Sequence, residues 1–457
     1  MVRNSSDADS LYVGLDPEKI SIIEYEVNKK NFSLVVEIVE GLHAADVADL
    51  IENISPEHLH ALVDILQSTL NPEVLTKLDD NILRRVIEQL GADQTAEAIS
   101  GLDTDEAVEV LDDLDKSTQQ ELLARLEGSE RESLEKVLSF PEDSAGRLMK
   151  KEVMTIPDFW NVGKVIDHLR ETDELPNEFY ELLIVDANFH PIGIVPLNTL
   201  LRSKRPVKVI EIMKLSLKKI PFKMDQEEVA YLFQQYDLVS APVVDEEGKL
   251  IGVIMHDDIV DVIQEEAEDD ILRLGRVGEA GINDPIITIT RNRFVWLLVN
   301  LITAAIASYV IFLFDATIEQ LVALAVLMPI VASMGGNAGT QTLTVTVRAL
   351  ASRDINSSNA VRHLNKELVV AVLNGAVFAC IVASVSWLWF ENFGLAVVIF
   401  FAMIINMFAA GLSGIIIPLG LHKIGADPAL AATVFVTTVT DVLGFFAFLG
   451  LAAVFLI

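Results

Sequence analysis

The stretch TVFVTTVTDVLGFFAFLG, from Thr433 to Gly450, decides the fold of this chain. It lies inside an apolar run from Pro428 to Ile457, which exceeds the roughly 20 residues that a membrane-spanning helix needs. Asp441 carries the only formal charge in that run. A carboxylate at the centre of a spanning helix costs roughly 2.5–3.5 kcal/mol on insertion scales, so it persists where it faces a partner, a cavity or a pathway.

Small and hydroxyl side chains surround this carboxylate on the predicted helix. Thr433 and Thr437 precede Asp441 by eight and four residues and share nearly the same face, and Gly444 follows three residues later. No Lys or Arg lies inside any predicted span to neutralise Asp441. Two interpretations stay open: a carboxylate on an ion pathway, and a protonated aspartic acid that hydrogen-bonds a neighbouring helix.

Five apolar runs are long enough to cross a membrane. They lie near Phe294–Phe314, Leu321–Val347, Leu368–Phe390, Leu395–Leu421 and Pro428–Ile457. The second, fourth and fifth are long, so we expect them to be tilted or broken. Every Lys and Arg from Arg291 onwards falls on one side of the membrane if the N-terminus is inside and the C-terminus outside, which is the arrangement that basic loop residues favour.

The net charge is confined to the first 290 residues. From Arg291 onwards seven basic residues balance seven acidic ones, so the whole net charge of −33 lies before that point. A nucleic acid backbone would be repelled by such a surface, whereas cations would be attracted. The single cysteine, Cys380, excludes an intramolecular disulfide and a cysteine zinc site. The N-terminus has no apolar run typical of a signal peptide, so we expect this acidic half in the cytoplasm.

Residues 148–264 contain an internal repeat with an offset of 59 residues. The run IVDANFHPIGIVPLNTLL, starting at Ile184, matches VVDEEGKLIGVIMHDDIV, starting at Val243. Each unit has the pattern strand, turn, strand, helix, and a constant offset indicates duplication. The pattern resembles a tandem pair of α+β CBS domains, 148–205 and 206–262, which pack on each other through their sheets.

The remaining segments complete a multidomain architecture. Residues 20–147 show apolar positions at helical spacing, as in NILRRVIEQL from Asn81, and predict an α-helical N-terminal domain. Residues 1–19 are expected to be disordered. Residues 258–273 predict one acidic amphipathic helix. Most of this helix belongs to a linking segment assigned to 263–290. An all-α transmembrane domain of five helices follows, over 291–457.

The second span contains PIVASMGGNAGTQTLTVTV, from Pro329 to Val347. Its proline and three glycines predict a weakened helix at mid-membrane, where freed carbonyls are tolerated only against protein or a watery cavity. Such carbonyls are also oxygen ligands, and Asn337, Thr340 and Gln341 add polar side chains there. Close packing of small residues between helices is the alternative explanation of the glycines.

Carboxylates cluster in the second repeat and the helix that follows. They are Asp225, Glu227, Asp237, Asp257, Asp258, Asp261, Glu265, Glu266, Glu268, Asp269 and Asp270. Four of them share one helical face, where like charges destabilise a helix unless a cation bridges them. Hard divalent cations prefer carboxylate oxygens, so the cluster predicts a cation-binding surface, with a solvated acidic face as the alternative.

At these residues the chain resembles the MgtE family of magnesium channels. The matching features are GGNAGTQ in the second span, DPAL at the start of the fifth, VTTVTDVLG around Asp441, and the acidic run of the second repeat. The resemblance covers nearly the full length. It implies a homodimer in the membrane, with a pore lined chiefly by spans two and five at the subunit boundary, and Asp441 binding the permeating hydrated Mg²⁺.

The same resemblance implies a set of regulatory Mg²⁺ ligands in the cytoplasmic half. They are Asp225, Glu227, Asp237, Asp258, Asp261, Glu266, Asp269 and Asp270. The helix start LDTDEA adds Asp105, which would face that site from the N-terminal domain. Mg²⁺ is thus the expected transported and regulatory ion.

Two departures from the family pattern affect particular residues. Thr433 stands where relatives have an asparagine, and its side chain is a shorter ligand. CBS domains that bind adenosine use the motif G-x-x-[ST]-x-x-D. The second repeat has Gly252, Met255 and Asp258 and lacks the hydroxyl, and the first repeat lacks both the hydroxyl and the aspartate. ATP is therefore a weakly supported cofactor.

These features predict a Mg²⁺-selective channel, not an enzyme, that closes when cytosolic Mg²⁺ binds the acidic surfaces. One alternative is a carrier of divalent cations, Co²⁺ and Mn²⁺ included. Another is a membrane sensor that transports nothing and uses its CBS pair to bind a ligand. An intramembrane aspartyl protease would need two aspartates, and these spans contain one.

Overall fold

A computed structural model describes residues 15–172, 175–176, 179–275, 277, 286–355 and 359–457. The chain forms two compact units, one ending at Glu265 and the other beginning at Glu266. Most of the segment 1–19, which was predicted to be disordered, lies outside the described residues. The first helix already begins at Pro17, so the prediction is wrong for the last three residues of that segment.

The N-terminal part of the first unit is helical, as predicted. Its helices are α1 (Pro17–Asn28), α2 (Phe32–Glu40), α3 (Ala44–Asn53), α4 (Pro56–Leu66), α5 (Asp80–Leu90), α6 (Ala92–Ile99), α7 (Thr104–Asp112), α8 (Lys116–Leu123) and α9 (Gly128–Leu138), with a 3-10 helix at Pro72–Lys77. Side chains fix the starts of these helices. Asp103 and Glu106 form a capping box on α7, and Asp115 accepts hydrogen bonds from the first amides of α8.

The two repeats form two equivalent three-stranded sheets. The strands are β1 (Thr155–Pro157), β2 (Glu181–Val185) and β3 (Pro191–Pro196) in one, and β4 (Ile220–Pro221), β5 (Ser240–Val244) and β6 (Leu250–Met255) in the other. In each sheet the first two strands are parallel and the last two antiparallel. The strands β5 and β6 lie 59 residues after β2 and β3, which confirms the duplication.

Short helices complete the repeats, and the two sheets pack face to face. The helices are α10 (Val162–Glu171), α11 (Leu197–Arg202), α12 (Val209–Ile212) and α13 (Gln226–Tyr236). Leu183 and Val185 of the first sheet contact Leu250, Val253 and Met255 of the second in one apolar cluster. The predicted packing of a CBS pair through its sheets is therefore confirmed.

A continuous core joins the helical domain to the second repeat. The connecting segment after α9 runs along the second sheet, where the Gly146 amide donates to the Phe222 carbonyl at 2.9 Å. The backbone of Lys150 pairs in both directions with Val253 of β6, at 2.8 and 2.9 Å. The segment therefore has a fixed position against the sheet, and so does the base of the Lys150 side chain.

One helix, α14 (His256–Gly275), follows the last strand directly. The proposed boundary between residues 262 and 263 lies inside this uninterrupted helix. Most of the expected linker after Gly275 lies outside the described residues.

The described part of the second unit contains five helices long and apolar enough to cross a membrane, which confirms the predicted number. They are α15 (Ile286–Phe312), α17 (Ala323–Ala351), α18 (Ala360–Phe390), α19 (Phe393–Lys423) and α20 (Pro428–Phe455). The short α16 (Asp315–Gln320) lies between the first and the second predicted span. The central helix is α19, against which α17, α18 and α20 pack.

The second span, which was expected to be tilted or broken, is not broken. Helix α17 runs without interruption from Ala323 to Ala351 and keeps Pro329 inside it. Neighbouring helices pack directly on its glycines: Asn406 of α19 lies against Gly335, and Val436 of α20 lies against Gly339. Close interhelical packing therefore explains these glycines, because the missing side chains let the helices approach.

Candidate functional site

Asp441 lies halfway along α20 and is half-buried. Within the described part of the chain, no ion pair and no hydrogen bond engages its carboxylate. The neighbouring Thr440 is completely buried. The isolation predicted from the sequence thus holds in the folded chain, since no described basic side chain has folded back to neutralise Asp441.

The hydroxyl groups before Asp441 donate to the backbone of their own helix. The Thr437 hydroxyl donates to the Thr433 carbonyl at 2.9 Å, and the Thr438 hydroxyl donates to the Val434 carbonyl at 2.6 Å. A hydroxyl offers one hydrogen and two lone pairs. Because the hydrogens are directed to the helix, the half-buried Thr437 and Thr438 present oxygen lone pairs, which suits a cation rather than an anion.

Gly444, one turn beyond Asp441, contacts a buried amide that the sequence analysis missed. Asn406 of α19 is fully buried, and its amide nitrogen donates to the Val331 carbonyl of α17 at 2.7 Å. A methyl group at Gly335 or Gly444 would collide with the Asn406 side chain. Asn406 therefore fills the space between α17 and α20. The available signal was a single asparagine in a span whose only other polar side chain is Ser413.

A polar stripe runs along the exposed face of α17. Its members are spaced at helical intervals and are all solvent-accessible in the single chain: Ser333, Asn337, Thr340, Gln341 and Thr344. The Asn337 amide contacts the Ser333 hydroxyl at 3.4 Å. Such a face in a membrane helix belongs against protein or a water-filled space, since lipid cannot satisfy its polar groups.

The C-terminal end of α14 is attached to the start of α20. The Arg273 guanidinium donates to the Asp269 carboxylate at 2.8 Å and lies 3.5 Å from the Asp427 carboxylate. Asp427 also caps α20 by accepting from the Ala429 amide at 2.7 Å. Leu274 packs against an apolar cluster of α17 and α20 residues. Burial, together with the nearby Asp427 charge, raises the pKa of Asp270.

In the first unit, Asp105 and Asp258 face the same ammonium group. The Lys150 nitrogen lies 3.5 Å from Asp105 and 3.3 Å from Asp258. Asp258 also accepts from the Met255 amide at 3.2 Å. Burial raises the pKa of Asp105 to about 8, and the adjacent Asp258 carboxylate adds to that rise. The structure therefore brings together two of the predicted ligands, with a lysine between them.

The other predicted ligands are distributed over several places. Asp261 pairs with Lys77 of the helical domain at 3.1 Å. Asp225 caps the start of α13 by accepting from the Glu227 amide at 3.0 Å, whereas Asp237 ends that helix in a left-handed conformation. Glu266 belongs to the middle of α14. Among the described residues, no three His, Cys, Asp or Glu side chains converge as a metal site, so the regulatory set stays a prediction.

Family models match most of the chain. A model described as a divalent cation transporter matches residues 328–451, and a model of the MgtE intracellular N domain matches 42–143. A CBS domain model matches twice, at 145–205 and 209–265. Together with the five apolar helices, these matches make the chain a multi-pass membrane protein with cytosolic N-terminal and CBS domains.

Curated relatives extend the similarity over nearly the whole chain. The magnesium transporter MgtE of Thermus thermophilus is 32% identical over 448 residues, covering 93% of this chain and 98% of that protein. The magnesium transporter MgtE of Bacillus subtilis is 31% identical over 328 residues, covering 72% and 73%. A solved cytosolic domain of the Mg²⁺ channel MgtE in complex with ATP is 27% identical with a TM-score of 0.50, covering 53% of this chain and 99% of that one. This chain belongs to the MgtE family of magnesium transporters, which are not enzymes.

Proposed function

We propose that this protein is a Mg²⁺ channel that admits the ion past Asp441. The observation that carries the proposal is the carboxylate halfway along α20, which no described residue pairs with. It lies next to threonine oxygens whose hydrogens are already used. Mg²⁺ dehydrates reluctantly and keeps several waters when one or two carboxylates bind it. A carboxylate with hydroxyl and carbonyl oxygens nearby suits a hydrated ion of this kind.

A second copy of the chain would complete the pathway. The polar stripe on α17 is exposed in one chain, although the helix is apolar enough to lie in a membrane. Two copies that bring α17 and α20 together would cover this stripe and place two Asp441 carboxylates near one ion. The proposed homodimer thus satisfies polar groups that lipid would leave unsatisfied. In this arrangement the C-terminus lies outside the cell.

Cytosolic Mg²⁺ would close the channel by binding the acidic surfaces. Neutralised carboxylates favour a compact arrangement of the helical domain, the CBS pair and α14. Repulsion between carboxylates without bound Mg²⁺ favours separation of the acidic surfaces that carry them. Mg²⁺ shifts the populations only by its differential affinity for the two states. The attachment of Arg273 to Asp427 supports α14 as the element that transmits this change to α20.

ATP is a less supported ligand of this protein than Mg²⁺. One solved relative is a complex of its cytosolic domain with ATP. In this chain, Asp258, the residue that would take a ribose, is already occupied by the Lys150 ammonium and the Met255 amide. We therefore expect ATP to bind weakly and Mg²⁺ transport to proceed without it.

The decisive experiment compares Asp441→Asn with the wild type in a magnesium-uptake-deficient cell. The wild type should restore growth at low Mg²⁺, and Asp441→Asn should fail to do so at equal membrane abundance. Asp315→Asn, an exposed carboxylate at the start of α16, is the matched control and should behave as the wild type. Growth supported by Asp441→Asn would contradict the proposal. Uptake without single-channel currents would indicate a carrier.

A further inference from the structure

Lys150 occupies the space between carboxylates of two domains. Its ammonium nitrogen lies 3.3 Å from Asp258, 3.5 Å from Asp105 and 4.0 Å from Asp257. The Lys150 side chain is 17% exposed, and those of Asp105 and Asp258 are 10% and 17% exposed. The group is therefore largely withdrawn from water. Charges interact more strongly in such surroundings than they do in water.

The surrounding backbone holds this lysine in place. Lys150 pairs with Val253 of β6 through two main-chain hydrogen bonds, so only its side chain is free to move. Asp105 belongs to the first turn of α7, and Asp258 to the first turn of α14. The ammonium thus connects the helical domain to the start of α14. One turn further along α14, the Lys77–Asp261 pair makes a second connection of the same kind.

A cation at this position lowers the electrostatic cost of holding two ionised carboxylates side by side. Two carboxylates that face each other in a buried place repel, and one of them, Asp105, has an oxygen without a hydrogen-bond partner among the described residues. An exchangeable divalent ion would neutralise the pair only when its concentration is high. A lysine attached to the chain is present at every Mg²⁺ concentration.

We infer that Lys150 is a resident cation that holds the helical domain on the start of α14 without a divalent ion. This contact is then retained when cytosolic Mg²⁺ is low, so the loosening that opens the proposed channel takes place at the other acidic surfaces. The inference rests on the proposed function for its role in gating, but the contact itself can be measured without transport.

The test is hydrogen exchange of the full-length protein in detergent micelles, with EDTA or with millimolar Mg²⁺. In the wild type, the amides of α7 and of the first turns of α14 should be protected equally in both conditions. Lys150→Met should exchange at least about tenfold faster in EDTA, because removal of one partner leaves buried charges uncompensated. Millimolar Mg²⁺ should restore protection in this variant.

Lys151→Met is the matched control. The Lys151 ammonium donates to the carbonyl and hydroxyl of Ser133 and, among the described residues, to no carboxylate, so its removal should leave the EDTA and Mg²⁺ rates equal. Equal protection of Lys150→Met and the wild type in EDTA would overturn the inference. Fast exchange of Lys150→Met that Mg²⁺ does not slow would overturn it too, because the lysine would then have a packing role only.

A double variant distinguishes the loss of the cation from general misfolding of Lys150→Met. Asp105→Asn in the Lys150→Met background removes the repulsion together with the cation, so protection in EDTA should return. Failure of this double variant to regain protection would also contradict the inference. None of these outcomes depends on Mg²⁺ uptake, so a failure of the proposed channel function would be seen separately, in the Asp441→Asn experiment.

Discussion

The Asn406 amide of α19 donates to the Val331 carbonyl of α17 at 2.7 Å, and this contact sets the spacing of the helices around Asp441. The same side chain lies against Gly335 on one side and Gly444 on the other. A buried amide with a fixed partner resists changes in spacing, since an unsatisfied amide N–H in a membrane interior is costly. The two helices proposed to line the pore thus share one buried contact residue.

Gly444→Ala should destabilise the membrane domain. The added methyl group would lie within 3.0 Å of the Asn406 amide, and overpacking of this kind costs about 1–3 kcal/mol. The thermal unfolding midpoint in detergent measures the effect. Gly336→Ala is the control, because nothing lies within 4 Å of a methyl group there. Equal midpoints for the two variants would show that α20 is not closely packed at Gly444.

Asn406→Ala should partly rescue Gly444→Ala. Alone, it removes a buried hydrogen bond and should cost about 1–3 kcal/mol. In the double variant the shortened side chain leaves room for the new methyl group. Its loss of unfolding free energy should therefore be smaller than the sum of the two single losses by at least about 0.5 kcal/mol. A double-mutant cycle on unfolding midpoints measures this coupling, and strict additivity would contradict direct contact.

Arg273→Gln should loosen the start of α20. It removes the charge that pairs with both Asp269 and Asp427. Because these ion pairs are partly exposed, the loss of unfolding free energy should be about 1 kcal/mol or less. Hydrogen exchange in the first turns of α20 should accelerate several-fold. Arg291→Gln, at an exposed position of α15, should leave these amides unchanged. Equal rates in both variants would mean that α14 is not attached through Arg273.

The stability of the helical domain should fall as the pH rises. Burial raises the pKa of Asp113 from 3.8 to about 7, and the nearby Asp80 carboxylate adds to the rise. A carboxyl group with a raised folded-state pKa stabilises the fold fully below its unfolded pKa, and this contribution is lost as the pH rises through about 7. Denaturant midpoints at pH 5 and pH 8 measure the effect. Asp113→Asn should reduce the difference, and an undiminished difference would exclude Asp113 as a source.

Cysteines on the polar stripe should cross-link two copies. In a Cys380→Ser background, Asn337→Cys and Thr340→Cys should form disulfide-linked dimers upon mild oxidation, because the stripe faces a second chain in the proposed dimer. Val377→Cys, on an exposed apolar position of α18, serves as the comparison. Denaturing gel electrophoresis without reductant gives the result. Dimers that form only through Val377→Cys would place the interface elsewhere.

The sequence by itself determined the architecture and the principal candidate residue. The five spans follow from composition and length, and the CBS pair follows from an offset of 59 residues. The unpaired Asp441 follows from the absence of basic residues in the spans. All three are properties of short stretches or of regular spacing, which local physics controls.

Only the tertiary structure decided which charges meet and how the glycines are used. Lys150 is distant in sequence from both Asp105 and Asp258, and their contact depends on how the helical domain docks on the second repeat. The glycines of α17 predicted a weakened helix, but the helix is continuous, and Asn406 and Val436 pack against those glycines. Contacts between distant residues depend on the arrangement of whole domains, and no local pattern in the chain specifies them.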